Sequence, residues 1–265
     1  MAEIIVITSG KGGVGKTTIT ANIGTALAAM DKKVILIDGD TGLRNLDVLM
    51  GLENRIVFNL VDVVEGKCEL EQALIKDKRY EKLFLLPTAQ TRDKEDIKTE
   101  QMLSLIDELR DQCDYMLIDC PAGIEQGFEN SVVGADKAII VVNPEITSIR
   151  DADRVIGKLK KKAFSDIKLV VNRIDYEMVK NGDMLDVEDI ISNLEIKLLG
   201  VVESDKRITI STNRGEPIVL NEDAEVGQAF KEIAMRIAGI EVPFRSFEGN
   251  NNVFIDKLKK LFSVK

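Results

Sequence analysis

Short, nearly continuous apolar runs alternate along this chain with longer stretches of helical period. Residues 3–8, 33–37, 83–86, 115–118, 138–142, 168–171 and 198–202 form such runs, the pattern of strands covered on both faces. Between them, 99–110, 148–162 and 224–238 place apolar residues at helical spacing. The alternation predicts an α/β fold, a single domain with a mainly parallel β-sheet flanked by helices. Ligands of such sheets gather beyond the carboxyl ends of the strands. Residues that directly follow strands are therefore the first candidates for chemistry.

The first strand runs straight into Gly10-Lys11-Gly12-Gly13-Val14-Gly15-Lys16-Thr17-Thr18, followed by the helix-like Ile19-Thr20-Ala21-Asn22-Ile23. Strand, glycine-rich loop and helix are the context that a G-x-x-x-x-G-K-[ST] match requires. Glycines let the backbone approach a polyphosphate, and amide groups at a helix N-terminus supply positive partial charge. In this reading Gly12, Gly13, Val14, Gly15 and Thr18 shape the cradle, Lys16 reaches the terminal phosphates and Thr17 ligates Mg²⁺.

Carboxylates end two further strands. Asp38 and Asp40 close the run Val34-Ile35-Leu36-Ile37, and Asp119 closes Tyr115-Met116-Leu117-Ile118. Asp119 has the form of a Walker-B acid, and Gly123, four residues on, sits where a backbone amide can follow the γ-phosphate. Of the first pair, one carboxylate suits the Mg²⁺ shell and the other suits the attacking water; we assign Asp38 to the metal and Asp40 to the water. An ordinary acidic turn has the same look in isolation, and the nearby phosphate loop favours the chemical reading.

Composition narrows the classes. Across 265 residues the formal net charge is -9 and there is no histidine, so a His triad, a His base and a His metal ligand are all excluded. The acidic balance speaks against a nucleic acid as primary partner. Cys68, Cys113 and Cys120 are widely spaced with no C-x-x-C pair, which fits a reducing cytoplasm. Met1-Ala2-Glu3 enters a strand without a basic leader, and no apolar run approaches the roughly 18 residues of a spanning helix. The expected location is cytoplasmic.

The end of the chain differs from the rest. The polar stretch 247–252 precedes a segment, 253–265, in which Phe254, Ile255, Leu258, Leu261 and Phe262 fall within one arc of about 120° on a helical projection. Lys257, Lys259 and Lys260 stand around the remainder. A basic amphipathic helix beyond a polar linker fits an anionic membrane surface; a terminal helix docked on its own core is the alternative. The expected organisation is a P-loop domain over 1–246, a linker over 247–252 and a membrane-targeting helix over 253–265.

Lys11 is not explained by a single phosphate loop, and it is the residue that carries a resemblance. The loop 11–17, together with Gly42-Leu43-Arg44-Asn45-Leu46-Asp47, Asp119-Cys120-Pro121-Ala122-Gly123 and Arg150-Asp151-Ala152-Asp153-Arg154, resembles the MinD branch of the ParA/MinD/NifH class of deviant Walker A ATPases. The resemblance covers essentially the whole chain. It implies an Mg²⁺-dependent ATPase whose two copies join face to face around ATP, with Lys11 reaching the partner's phosphates beside Lys16 and Asp40. It also implies that Asn172 faces adenine, so ATP is favoured over the GTP that Asn172-Arg173-Ile174-Asp175 superficially suggests. MinC-like and MinE-like partners are implied as well, with Arg150, Asp151, Asp153 and Arg154 as contact candidates, although these charges also suit a solvated helix face. The implied function is septum placement at the cytoplasmic face of the inner membrane. A flagellar-number regulator of the FlhG type and a ParA-like DNA segregation ATPase are the alternatives. Cys120 stands where serine is usual, and 202–205 lacks the proline often found beside adenine.

Overall fold

The computed structural model describes residues 2–40, 44–89 and 97–244. The linker over 247–252, the membrane helix over 253–265 and the pair Gly42-Leu43 lie outside the described residues. Eight strands are described: β1 (Glu3–Thr8), β2 (Val34–Asp38), β3 (Ile75–Lys76), β4 (Leu83–Leu86), β5 (Tyr115–Asp119), β6 (Lys137–Val142), β7 (Ile167–Ile174) and β8 (Lys197–Glu203). They form one sheet in the order β3-β4-β2-β5-β1-β6-β7-β8. All neighbours pair in parallel except β3, which runs antiparallel to β4.

The helices are α1 (Lys16–Ala29), α2 (Leu46–Met50), α3 (Leu60–Val64), α4 (Leu70–Ala73), α5 (Thr99–Leu109), α6 (Gln126–Val132), α7 (Ile146–Lys161), α8 (Tyr176–Asn181), α9 (Val187–Leu194), α10 (Lys206–Asn213) and α11 (Glu225–Ile237). Among the described residues no helix is long and apolar enough to cross a membrane.

The strands feed two cores because successive side chains point to opposite faces. Ile4, Val6, Ile35 and Ile37 face one core with α5, α6, α7 and α9. Ile5, Ile7, Val34 and Leu36 face the other with α1, α2 and α11. Each such side chain, fully buried, contributes roughly 1.5 to 3 kcal/mol. On α7 the buried apolar positions are Ile149, Ala152, Val155, Ile156 and Leu159, an amphipathic stripe that leaves Arg150, Asp153 and Arg154 outward. By contrast α1 is buried nearly all round, Thr20, Asn22 and Thr25 included, because it is sandwiched between the sheet and α11.

Several expected boundaries move. The helix expected over 148–162 begins at Ile146, after the extended Glu145. The strand expected over 168–171 runs on to Ile174, so Asn172 lies within β7 and not in a loop after it. That extension carries an irregularity at Arg173, whose φ is 60°. β5 and β6 are consecutive in the chain yet flank β1, which makes the carboxyl end of β1 a topological switch point where ligands bind.

Candidate nucleotide site

The loop between β1 and α1 occupies that switch point. Gly15 takes the position before the first helical turn with φ 99°, and no side chain caps the helix there. The left-handed backbone needs glycine. A Cβ at Gly15 would also stand 2.4 Å from the Asn172 side-chain nitrogen. The uncapped first-turn amides of Lys16, Thr17 and Thr18 remain as donors for an anion.

Lys16 is buried, and its Nζ donates to Ser9 Oγ at 3.2 Å, while Ser9 Oγ donates to the Lys11 carbonyl at 2.7 Å. The ammonium is thus held at the loop. Asn172 Nδ2 donates to the Val14 carbonyl at 2.7 Å and is buried. Its described hydrogen bond braces the phosphate loop from β7.

The acids meet across two strands. Asp38 and Asp119 are register partners at the ends of β2 and β5, and both are buried. The amide of Asp40 donates to Asp38 Oδ1 at 3.0 Å, and among the described residues Asp38 Oδ2 has no hydrogen-bond partner. Burial first, and the Asp119 charge second, hold the Asp38 carboxyl well above the usual carboxylate range. Asp119 is pushed up to about 7, chiefly by burial and also by Asp40, against the opposing effects of the Thr17 hydrogen bond and the Lys16 charge. Like charges crowded into a buried site favour a cation there. Among the described residues no group of three or more His, Cys, Asp or Glu forms a complete metal cage. The paired Asp38 and Asp119 suit Mg²⁺, which takes one or two carboxylates and fills its shell with substrate phosphates and water.

The sequence-predicted residues therefore converge, with informative exceptions. Gly123 lies on the loop after β5 with φ 96° and open space where a Cβ would stand, and a Cβ at Gly12 would stand 3.6 Å from the Ala122 Cβ. Lys11 points away from its own phosphate cradle. Its Nζ meets Glu145 Oε2 at 2.6 Å and Thr147 Oγ1 at 3.3 Å, with its side chain 39% exposed. Arg150, Asp153 and Arg154 are exposed on α7, with Asp151 partly so, and the pair described among them is Arg154 with Asp151 at 3.7 Å. This is an outward charged face.

Residues 5–218 match the family described as CobQ/CobB/MinD/ParA nucleotide binding domain. The septum site-determining protein MinD of Bacillus subtilis (strain 168) is 52% identical over 267 residues, with both chains fully covered. The chain belongs to the MinD family. Among solved structures, the MinC:MinD cell division protein complex of Aquifex aeolicus is similar at a TM-score of 0.87 and 52% identity, covering 93% of this chain and all of that one. The septum site-determining protein MinD complexed with Mg-ADP from Pyrococcus horikoshii OT3 has a TM-score of 0.81 and 33% identity, over 89% of this chain and 96% of that one. As a MinD-family ATPase the chain uses ATP with Mg²⁺ and serves septum placement.

One feature of this MinD-family site escaped sequence reasoning. Glu145 and Thr147 as holders of Lys11 are 134 and 136 residues away in the chain; only the fold joins them. Cys120, the departure from serine, is fully buried and its thiol is pushed up to about 11, chiefly by burial. It is a packing residue and an unreactive one.

Proposed function

We propose that this septum-placement ATPase is an ATP-driven switch, in which two copies join through their nucleotide faces, bind an anionic membrane through 253–265 and separate after hydrolysis. The observation that carries the reading is the placement of the two loop lysines. Lys16 is buried at the cradle, whereas Lys11 stands exposed at its rim beside Glu145. A cation at the rim is available to the phosphates of a second copy, where it offsets charge that develops during phosphoryl transfer.

Within one copy, Lys16 and the first amides of α1 hold and orient the polyphosphate. Thr17, Asp38 and Asp119 would hold Mg²⁺, which when bound supplies charge neutralisation on the phosphate oxygens. Asp40 orients the attacking water, and the Gly123 amide follows the terminal phosphate. Asn172 sets the base end of the loop and faces adenine. Two tails in one dimer bind with avidity, because the second insertion is intramolecular; a single short helix is marginal in water. The solved MinC:MinD complex, of a chain 52% identical, supports a MinC-like partner. A MinE-like partner that promotes release, and contact through Arg150, Asp151, Asp153 and Arg154, rest on family resemblance. The organisation into 1–246, 247–252 and 253–265 belongs to the same reading.

Sedimentation velocity tests it. Wild-type protein with ATP and Mg²⁺ is expected to dimerise, and Lys11→Ala is expected to bind ATP yet stay monomeric. A Lys11→Ala protein that dimerises and hydrolyses normally would overturn the reading.

A further inference from the structure

The loop that carries Gly123 is secured from one direction only. It leaves β5 where the Cys120 amide bonds the Ile7 carbonyl at 3.0 Å, and it re-enters regular structure where the Glu125 carbonyl accepts from the Glu129 amide at 3.1 Å. Between these points, residues 121–124 make no backbone–backbone hydrogen bond among the described residues. One side chain reaches in: Lys158 Nζ, from α7, donates to the Ile124 carbonyl at 2.7 Å. Among the described residues it is the single hydrogen bond to 121–124. The same ammonium stands 5.8 Å from the centroid of the buried Phe128 ring, on the helix that follows the loop. The ammonium therefore serves both the loop carbonyl and the ring face.

α7 also touches the other half of the site. A Cβ at Gly10 would stand 2.3 Å from the Asp151 carbonyl oxygen, so the helix backbone lies directly on the start of the phosphate loop. Glu145 and Thr147, just before and within its first turn, hold Lys11. From Thr147 to Lys158 a helix spans about 16 Å. One rigid element therefore contacts the phosphate loop at one end and the Gly123 loop further along.

We propose that Lys158 is a positioning residue for ATP hydrolysis, holding the Gly123 loop at the mouth of the phosphate site and fixing that loop to α7, on whose outer face Arg150, Asp153 and Arg154 stand. The proposal rests on the ATPase reading of this site. An untethered 121–124 segment samples more conformations, so a smaller fraction of bound ATP meets the Gly123 amide. Binding through Lys16 and the α1 amides does not depend on that loop. Loss of the tether acts on kcat and leaves ADP affinity alone.

Lys158→Met keeps an unbranched stem against Phe128 and removes the donor; Lys158→Arg keeps a donor. Glu129→Gln is the control, because it breaks the Lys162–Glu129 pair between α7 and α6 without touching Ile124. In Lys158→Met, kcat is expected to fall about tenfold, the scale of losing one charge-assisted hydrogen bond in the working state, with ADP affinity unchanged. In nucleotide-free protein the ¹⁵N order parameter of the Gly123 amide is expected to drop from that of a held backbone toward the flexible range, below about 0.6. Lys158→Arg recovers most of both, and Glu129→Gln changes neither. The proposal fails if Lys158→Met retains the wild-type order parameter and kcat, or if Glu129→Gln reproduces its effects, which would reduce Lys158 to helix packing. A wild-type chain without hydrolysis would remove the underlying reading, while the order parameters still decide the tether.

Discussion

Replacing Asp119 by asparagine is predicted to stabilise the nucleotide-free, metal-free protein at neutral pH while abolishing its turnover. In the folded chain the Asp119 carboxyl is pushed up to about 7, burial being the largest cause. An unfolded aspartate titrates near 3.9. A carboxyl raised in the folded state adds stability below its unfolded pKa and loses that contribution as pH rises through the folded one. Integrated from pH 5.5 to 7.5, the loss for this single group is about 2 kcal/mol. Asparagine keeps an oxygen that can accept from the Thr17 and Thr20 hydroxyls, which bond Asp119, and it does not titrate. The stability difference between Asp119→Asn and wild type should therefore widen in favour of the variant by about 2 kcal/mol over that interval. Relief of Asp38, which Asp119 raises, acts in the same direction. Urea denaturation in EDTA at both pH values measures it. A difference that stays constant or narrows with rising pH would refute the electrostatic reasoning. Lost ATPase activity in the more stable variant would show that the acid is kept for its ligand and at a cost to the fold.

Two further changes follow from the geometry. Gly10→Ala drives a methyl to 2.3 Å from the Asp151 carbonyl oxygen; displacing α7 should cost about 1 to 3 kcal/mol in urea denaturation and lower ATPase activity with it, and an unaltered midpoint would contradict the packing described. Asp77→Asn removes the buried partner of Arg79, which reaches the Met50 carbonyl at 2.8 Å and Asp77 at 2.6 Å. The Asp77 carboxyl is held below its ordinary value by the Arg79 hydrogen bonds despite burial, so its contribution is present at neutral pH and lost in acid. A destabilisation of about 3 kcal/mol at pH 7 that shrinks below about pH 4 is expected, read from denaturation midpoints.

Much of this arrangement was legible in the residues, for local reasons. The phosphate loop, its strand and its helix are contiguous, so spacing alone places Gly15, Lys16 and Thr17. Asp38 and Asp119 follow from apolar runs that end in an acid, and their register pairing is what a parallel sheet with β2 beside β5 requires. β3 was missed because two residues, Ile75 and Lys76, carry no period. The reach of β7 to Ile174 was missed because Asn172 and Arg173 break its apolar run, although the neighbouring β8 pairs with Asn172 and Ile174 on either side of the irregularity. Lys158 was invisible for another reason. Its partner is a backbone carbonyl 34 residues earlier, and a lysine on the rim of an amphipathic helix looks the same whether it meets solvent or a loop. The amphipathic pattern over 253–265 stands on sequence alone.

Liposome cosedimentation with anionic vesicles tests the central claim most directly, comparing the full chain with one ending at Gly249 under ATP, ADP or no nucleotide. The account predicts that the full chain pellets with ATP and neither sample pellets otherwise. Sedimentation of the full chain that is independent of nucleotide, or absent, would contradict the coupling of the nucleotide site to the membrane.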